Sequence, residues 1–509
     1  MWNAQSSFTL LPKFKYLIAH LNKDQFRVEC NRIKLPEGVN KVEPWSRLSV
    51  VTELLRKTKM PLEELPAYVQ KAKHFKLEKT DPLPETLEGA PDFYSMLYPY
   101  QKQAVVWVVG QLNFKTALCD DMGLGKTLQS LCIASIFLYR NRKKRPKLLV
   151  LCPAFLLKDW EANIKKRLSE YEEQITLLSY DTAKNRSKAL KKEGFTMAIL
   201  DEAHSLKNSK SQRYKKLGPI LKKIKAFKIL LSGTPSTNKA IDYYSFVSIL
   251  HPSLFRTLKS FTERYWCKIS RKSRNAKELA FVIPSLSFIR RSKEDVLNLP
   301  PKTITNVLLH DKLAKQAMTK LVETIEKEQD RNMVRYHIGA AFHDLARIKS
   351  KSEALREKYQ SLLREKRPAK MLIFCQHLDM LEKAEEWARG CGFKAIEVIH
   401  GGVTNHKRNI IVHEFQAGRV ELLCCTIAAA GVGLTLTQAT EVLFLEMTWE
   451  RGLVAQAIDR CHRIGQSLPV TVTKLLLEGS LDEWILRSEQ SKKKMQTLLL
   501  QAARKLSNK

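Results

Sequence analysis

The segment 117–129, Ala-Leu-Cys-Asp-Asp-Met-Gly-Leu-Gly-Lys-Thr-Leu-Gln, restricts the possible folds more than any other stretch of the chain. A short apolar run, Thr116 to Cys119, reads as the end of a buried strand, and an acidic-to-glycine turn follows it. A helical pattern then starts at Thr127 and continues through Leu128, Leu131, Ile133 and Ile136. Strand, glycine turn and helix start together form an anion site, because backbone N–H groups converge where the helix end carries positive partial charge. Gly123 and Gly125 let the backbone approach a phosphate with no Cβ in the way. Asp121, Met122 and Leu124 complete the loop, Lys126 is expected to reach the β- and γ-phosphates, and Thr127 is expected to place its hydroxyl on Mg²⁺. Asp120 stands where the strict pattern has glycine. A Gly-Lys-Thr turn by itself is also ordinary loop chemistry, so the residues downstream decide.

A chain of 509 residues is too long for one core, and two or three domains are expected. The formal charge of +35 points to a polyanion, nucleic acid before an acidic membrane surface, with a lysine-rich source proteome as the bland alternative. The ten cysteines are scattered with no Cys-x-x-Cys, and the adjacent pair Cys424-Cys425 lies in a strand-like run. Structural zinc and a disulfide framework are therefore not expected, and a reducing compartment is. Residues 1–23 lack the apolar core of a signal peptide, and no window has the ~18–20 apolar residues of a membrane span. The expectation is a soluble intracellular protein.

Strand-like runs at 147–152, 176–179, 196–200 and 226–231 alternate with helical patterns, as do runs at 371–375, 394–399, 420–425 and 441–445. Such alternation argues for parallel sheets covered on both faces. Charged helical stretches at 312–332 and 348–366 separate the two groups. The expected division is an accessory region at 1–92, an ATP-binding lobe at 93–255, a helical insertion and linker at 256–366, a second lobe at 367–490 and a basic helix or tail at 491–509. In the accessory region Phe26 and Trp45 are candidate packing anchors and 81–91 reads as a connector; in the tail Leu498-Leu499-Leu500 reads as a docking cluster.

The run Met197-Ala198-Ile199-Leu200 ends in Asp201-Glu202-Ala203-His204. A carboxylate at the carboxyl end of a strand beside a phosphate loop is where Mg²⁺ is held, so Asp201 is expected to orient the metal, partly through water. Glu202 is expected to act as general base on the attacking water. Leu230-Leu231-Ser232-Gly233-Thr234-Pro235 closes another strand, and the hydroxyls of Ser232 and Thr234 are candidates for coupling the nucleotide site to the second lobe. In that lobe, Gln456 to Gln466 spaces Arg460 and Arg463 three apart, which puts them on one face if the segment is helical. Two arginines aimed from one lobe at a triphosphate on the other are arginine fingers in cis, a device worth roughly 10³–10⁵ in rate.

Taken together, Asp-Asp-Met-Gly-Leu-Gly-Lys-Thr, Leu-Leu-Ser-Gly-Thr-Pro and His-Arg-Ile-Gly-Gln make the chain resemble a superfamily-two helicase-type ATPase of the Swi/Snf group, with its nearest likeness in the annealing-helicase (HARP) branch. The resemblance runs in order from Tyr98-Pro99-Tyr100-Gln101-Lys102 through 148–160, 288–302, 370–376, 400–416 and 429–438 to 449–466. It implies an α/β fold of two RecA-like lobes with parallel sheets, joined by a helical insertion and preceded by a small accessory region. It implies ATP and Mg²⁺ as cofactors, adenine recognition by Gln101, a nucleotide-facing Gln456, and a coupling loop at Gly431, Gly433 and Thr435. Ile458, His400 and Arg451 depart from the group's usual residues.

What the resemblance implies for function is a monomeric, nuclear, DNA-dependent ATPase with no membrane attachment. It would contact duplex, forked or junction DNA mainly through phosphates, remodel forks or rewind complementary strands, and work with a replication or repair partner. A chromatin remodeller using the same motor, an RNA helicase, and a non-catalytic DNA-binding scaffold are the alternatives; the last would require loss of Lys126, Glu202 or Arg463, all of which are present.

Overall fold

The computed structural model describes residues 8–9, 63–64, 66–233, 239–267, 273–327, 331–367, 369–430, 434–448, 451–483 and 485–486. Phe26, Trp45, Thr234, Gly431, Gly433 and the 491–509 tail lie outside the described residues.

Two six-stranded sheets form the framework. The first holds β1 (Lys115–Leu118), β2 (Leu148–Cys152), β3 (Ile175–Ser179), β4 (Met197–Leu200), β5 (Phe227–Leu231) and β6 (Phe288–Ile289) in the order β3-β2-β4-β5-β1-β6. The second holds β7 (Lys302–Leu309), β8 (Met371–Cys375), β9 (Ile396–Ile399), β10 (Leu422–Thr426), β11 (Glu441–Phe444) and β12 (Val470–Leu477) in the order β9-β10-β8-β11-β12-β7. Every pairing in both sheets is parallel. The fold is α/β with two parallel-sheet lobes, as expected.

Continuous apolar runs are what a strand covered on both faces requires. Successive residues of β2 divide between two cores: Leu149 and Leu151 enter one cluster, while Leu148, Val150 and Cys152 enter the other. In β8, Leu372 and Phe374 face one core, and Met371, Ile373 and Cys375 face the other. Because all strands of a sheet run the same way, the loops after β1, β4, β5 and β6 open along one edge. The connection from β1 crosses β5 and β4 to reach β2, which makes that edge a switch point.

Two expectations need correction. The segment 256–366 is not wholly helical: it supplies edge strand β6 to the first sheet and β7 to the second. An edge strand has one neighbour and a largely exposed surface, so β7 (Lys-Thr-Ile-Thr-Asn-Val-Leu-Leu) carries no long apolar run to betray it. The accessory region expected at 1–92 is not separate from the first lobe where it is described, and in the connector read at 81–91 Leu87 and Ala90 pack against that lobe's core. In the helix Ala67–His74, Val69 and Ala72 enter the first lobe's core, and the Tyr68 hydroxyl meets that of Tyr265 at 3.0 Å. The indole of Trp107 donates to Glu78 O at 2.7 Å.

The helices after β7 are α-helical hairpin partners Lys312–Lys327 and Arg331–Lys349, and the second ends on a buried lysine. Lys349 Nζ meets Asp482 Oδ2 at 2.6 Å and donates to Leu445 O at 2.8 Å and Leu475 O at 3.2 Å. Three acceptors match the three protons of an ammonium, so this cation is fully satisfied away from water. Among the described residues, no helix is long and apolar enough to cross a membrane, and all nine cysteines are free.

Removing one partner of a buried pair strands the other charge. Lys349→Met is expected to destabilise the second lobe by about 3–5 kcal/mol. The check is a urea titration followed by hydrogen exchange at Met371–Cys375, and an unchanged midpoint would contradict it.

Candidate active site between the lobes

The phosphate loop leaves β1 and turns into α1 (Lys126–Arg140), as its sequence predicts. Gly123 and Gly125 have φ of 83° and 72°, in the left-handed region that favours glycine. At Gly125 a Cβ would stand 2.3 Å from Gln101 Nε2, so a side chain there would collide as well as strain the backbone. Gln101 braces the loop: its Nε2 donates to Leu124 O at 3.1 Å and its Oε1 accepts from Tyr98 N at 3.0 Å. The Tyr100 hydroxyl and Gln129 Nε2 also donate to Leu124 O, each at 3.1 Å. Three donors on one carbonyl hold the apex of the loop in place. Met122 packs over Gly233, where a Cβ would come within 2.6 Å of its Cγ. Lys126 Nζ donates to Asp120 O at 2.8 Å and Asp121 O at 3.0 Å, curling back onto its own loop.

Asp120, the departure from the strict pattern, is fully buried. Its Oδ1 accepts from Arg291 N and Arg291 Nε, each at 3.0 Å, and its Oδ2 accepts from Arg291 Nη2. Arg291 also donates to Gln129 Oε1 at 3.0 Å and to Tyr100 O. The next carboxylate, Asp121, accepts from Lys293 N at 3.2 Å and lies 3.8 Å from Arg290. The loop is thus tied to residues 290–293, which lead out of the first lobe.

Strand β4 delivers Asp201 and Glu202 to the same edge. Both carboxylate oxygens of Asp201 accept a hydrogen bond: Oδ2 from the Trp160 indole at 2.8 Å and Oδ1 from Glu202 N at 2.9 Å. Burial, with the Glu202 charge adding to it, pushes Asp201 up to about 6 against the pull of those donors. Glu202 sits at φ 47°, a left-handed backbone that costs a glutamate energy. Burial alone would raise it, but His204, 3.0 Å away, together with the charges of Lys126 and Arg460, outweighs burial and holds it below the usual carboxylate range. The two adjacent carboxylates are thus pushed in opposite directions, Asp201 up and Glu202 down.

The arginines arrive from the second lobe, but not on a helix. The helix Arg451–Ile458 ends two residues before Arg460, and the chain tightens: Arg460 N bonds Ala457 O at 3.1 Å and Cys461 N bonds Ile458 O at 3.2 Å. Arg460 and Arg463 therefore project from a turn that closes at Gly465, φ 98°. Arg463 Cβ approaches the first lobe so closely that a Cβ on Gly123 would stand 3.2 Å from it. Burial, then its neighbour Arg463, pushes Arg460 down to about 10. Arg463 Nε is buried with no hydrogen-bond partner among the described residues, an orphaned donor beside the phosphate loop. That donor, the loop glycines and Lys126 fit a nucleoside triphosphate. Among the described residues no cluster of three metal-binding side chains occurs, so a Mg²⁺ here would rely on phosphates, Thr127, Asp201 and water.

Ser232 is fully buried at the end of β5, and Thr435 is exposed on the second lobe. Gln456 lies half-buried on the helix that precedes the arginine turn. Sequence reasoning missed Arg291, Trp160 and Lys293 as parts of the site. It also missed a cavity of about 520 Å³ between Phe155 of the first lobe and Gly401–Thr404, Arg408, Thr426, Ala428 and Ala429 of the second. The Pro-Ala-Phe-Leu turn after β2 and the His-Gly-Gly-Val-Thr turn after β9 were the available signals.

A phosphate loop and carboxylate pair on one parallel-sheet lobe, facing two arginines from another, define a two-lobed helicase-like ATPase. Residues 100–172 and 167–362 match the SNF2-related domain, residues 351–465 match the helicase conserved C-terminal domain, and the chain belongs to the SNF2-related family. It is 29% identical over 85% of its length to the "SWI/SNF-related matrix-associated actin-dependent regulator of chromatin subfamily A-like protein 1 homolog" of Caenorhabditis elegans, spanning 66% of that protein. It is 29% identical over 78% of its length to the Homo sapiens "DNA annealing helicase and endonuclease ZRANB3", spanning 40% of it. It is 26% identical to the solved "Sulfolobus solfataricus SWI2/SNF2 ATPase core in complex with dsDNA", with a TM-score of 0.40, covering 79% of this chain and 92% of that one. The chain spans less than two thirds of the length of the curated relatives it matches.

Restoring the strict glycine would remove the Arg291 partner rather than improve the loop. Asp120→Gly is expected to cost about 3–5 kcal/mol in the first lobe and to weaken nucleotide binding, as read by denaturation and by titration with a fluorescent ATP analogue. A variant as stable and as tightly binding as the parent would show that the pair does not shape the loop.

Proposed function

We propose that this chain hydrolyses ATP with Mg²⁺ to move along duplex or branched DNA, and that its output is fork remodelling or rewinding of complementary strands. What supports the reading above all is that two features bring the lobes together: the phosphate loop against the arginine turn, and a cavity lined from both lobes. In that cavity Phe155, the start of the helix Asn405–Gln416 and the buried Arg408 face one another. A phosphate backbone suits a helix start capped by Thr404, and the +35 charge suits a polyanion. The human relative's name supports the annealing output; the nematode relative's name keeps chromatin as a second substrate.

In this reading Lys126 exchanges its loop carbonyls for phosphate oxygens, and Asp201 orients the metal's water shell. Glu202 takes the proton of the attacking water, while Arg460 and Arg463 stabilise charge that develops as the bond to the γ-phosphoryl breaks. Mg²⁺ would neutralise the phosphates when bound. Closure of the lobes completes the site, and reopening advances the DNA by a step. Action as a monomer in the nucleus, with a replication or repair protein as partner, belongs to the same reading.

The test is ATP turnover by the full chain with no nucleic acid, single strands, duplex, forked DNA, nucleosomes and RNA. Strong stimulation by duplex or forked DNA, falling steeply with salt, is expected, with little by RNA. Equal stimulation by RNA would sink the DNA assignment, and stimulation by nucleosomes beyond that by their free DNA would favour chromatin. Lys126→Ala should abolish turnover, and Arg463→Ala should lower kcat by roughly 10³-fold.

A further inference from the structure

Lys293 is nearly buried at the point where the chain leaves the first lobe, yet its ammonium is spent on the second. Nζ lies 2.5 Å from Asp459 Oδ1 and donates to His462 O at 2.7 Å. Asp459 and His462 immediately precede Arg460 and Arg463. The backbone N of the same lysine donates to Asp121 Oδ2 at 3.2 Å, and its Cε stands 3.6 Å from where a Cβ on Gly123 would lie. One residue therefore touches the phosphate loop with its backbone and the arginine turn with its side chain.

We propose that Lys293 is the positioning residue of the arginine turn: its ammonium holds Asp459 and the His462 carbonyl so that Arg460 and Arg463 are presented to the phosphate loop in register. The helix ends at Ile458 and its ladder becomes irregular: Asp459 N and His462 N still bond four residues back, but Arg460 N and Cys461 N bond three back, so a regular helix no longer sets the direction of the arginines. An outside cation bonded to Asp459 and to His462 O, on either side of Arg460, supplies what the helix does not. A misplacement of about 1 Å in such a group can cost on the order of 10²-fold in rate. The proposal rests on the ATPase reading above and names the residue that assembles its two halves.

Two measurements on the full chain separate the failure of this proposal from failure of that reading. Hydrogen exchange without nucleotide needs no activity: Lys293→Met is expected to speed exchange across 459–466 by about tenfold, with β8 unchanged. No change in the turn would overturn the proposal whatever the turnover assay shows. In turnover, Lys293→Met and Asp459→Asn are each expected to lower kcat by roughly 10–100-fold while the affinity for a fluorescent ADP analogue moves less than about threefold. The double variant should be no worse than the worse single, and Lys293→Met should lower kcat by less on an Arg463→Ala background than in the parent, because only Arg460 is then left to misplace. Additive losses, or lost ADP affinity with intact kcat, would assign Lys293 to the loop or to simple packing instead. An unmodified chain that turns over no ATP on any nucleic acid, with the exchange result as expected, would sink the functional reading and leave the positioning intact.

Discussion

The buried pair between Asp120 and Arg291 joins the start of the phosphate loop to the segment leaving the first lobe, and the shape of the site follows from it. Glycines permit the tight turn but also permit many others, so a loop built on them needs external restraint to be held in one form. Asp120 and Arg291 supply it from below, and the donors on Leu124 O supply it from above. Arg290, Arg291 and Lys293 then continue the same chain of contacts to Asp121, Asp120 and Asp459 in turn. A nearly contiguous basic stretch thereby connects the triphosphate-binding loop with the turn that carries the arginines.

Electrostatics explain why the carboxylates of the site tolerate burial. An isolated buried carboxylate would simply take up a proton. Asp201 is drawn in that direction and is kept near the switching range by Trp160 and the backbone of Glu202. Glu202 is held below the usual carboxylate range against its burial, chiefly by His204 and then by the charges of Lys126 and Arg460.

How legible this was depends on what each residue answers to. Central strands such as Leu148–Cys152 and Met371–Cys375 must be apolar on both faces, and that demand appears directly as a run of letters. The phosphate loop was legible because its glycines and lysine answer to local backbone and phosphate geometry. Edge strand Lys302–Leu309 was not, since one neighbour and an open face impose no pattern. Arg460 and Arg463 were identified, but their helical spacing misled: the chain leaves the helix at Ile458, and a three-residue interval reads alike in a helix and in a tight turn. Asp120 looked like an imperfection because its partner is far along the chain, and no local pattern encodes a contact between residues so distant in sequence.

Two buried lysines show how the second lobe is both fastened and released. Lys349 meets Asp482 with both side chains almost wholly sealed, and its remaining protons go to carbonyls of the same lobe. Opening that contact would expose the core of one lobe. The Lys293–Asp459 contact joins different lobes, and Asp459 retains 17% exposure, so water can reach the carboxylate as the lobes part. Hydration then compensates the separating charges, which it cannot do at Lys349. Of the two ionic fastenings, one therefore lies within a lobe, and the other is the one that separation of the lobes would break.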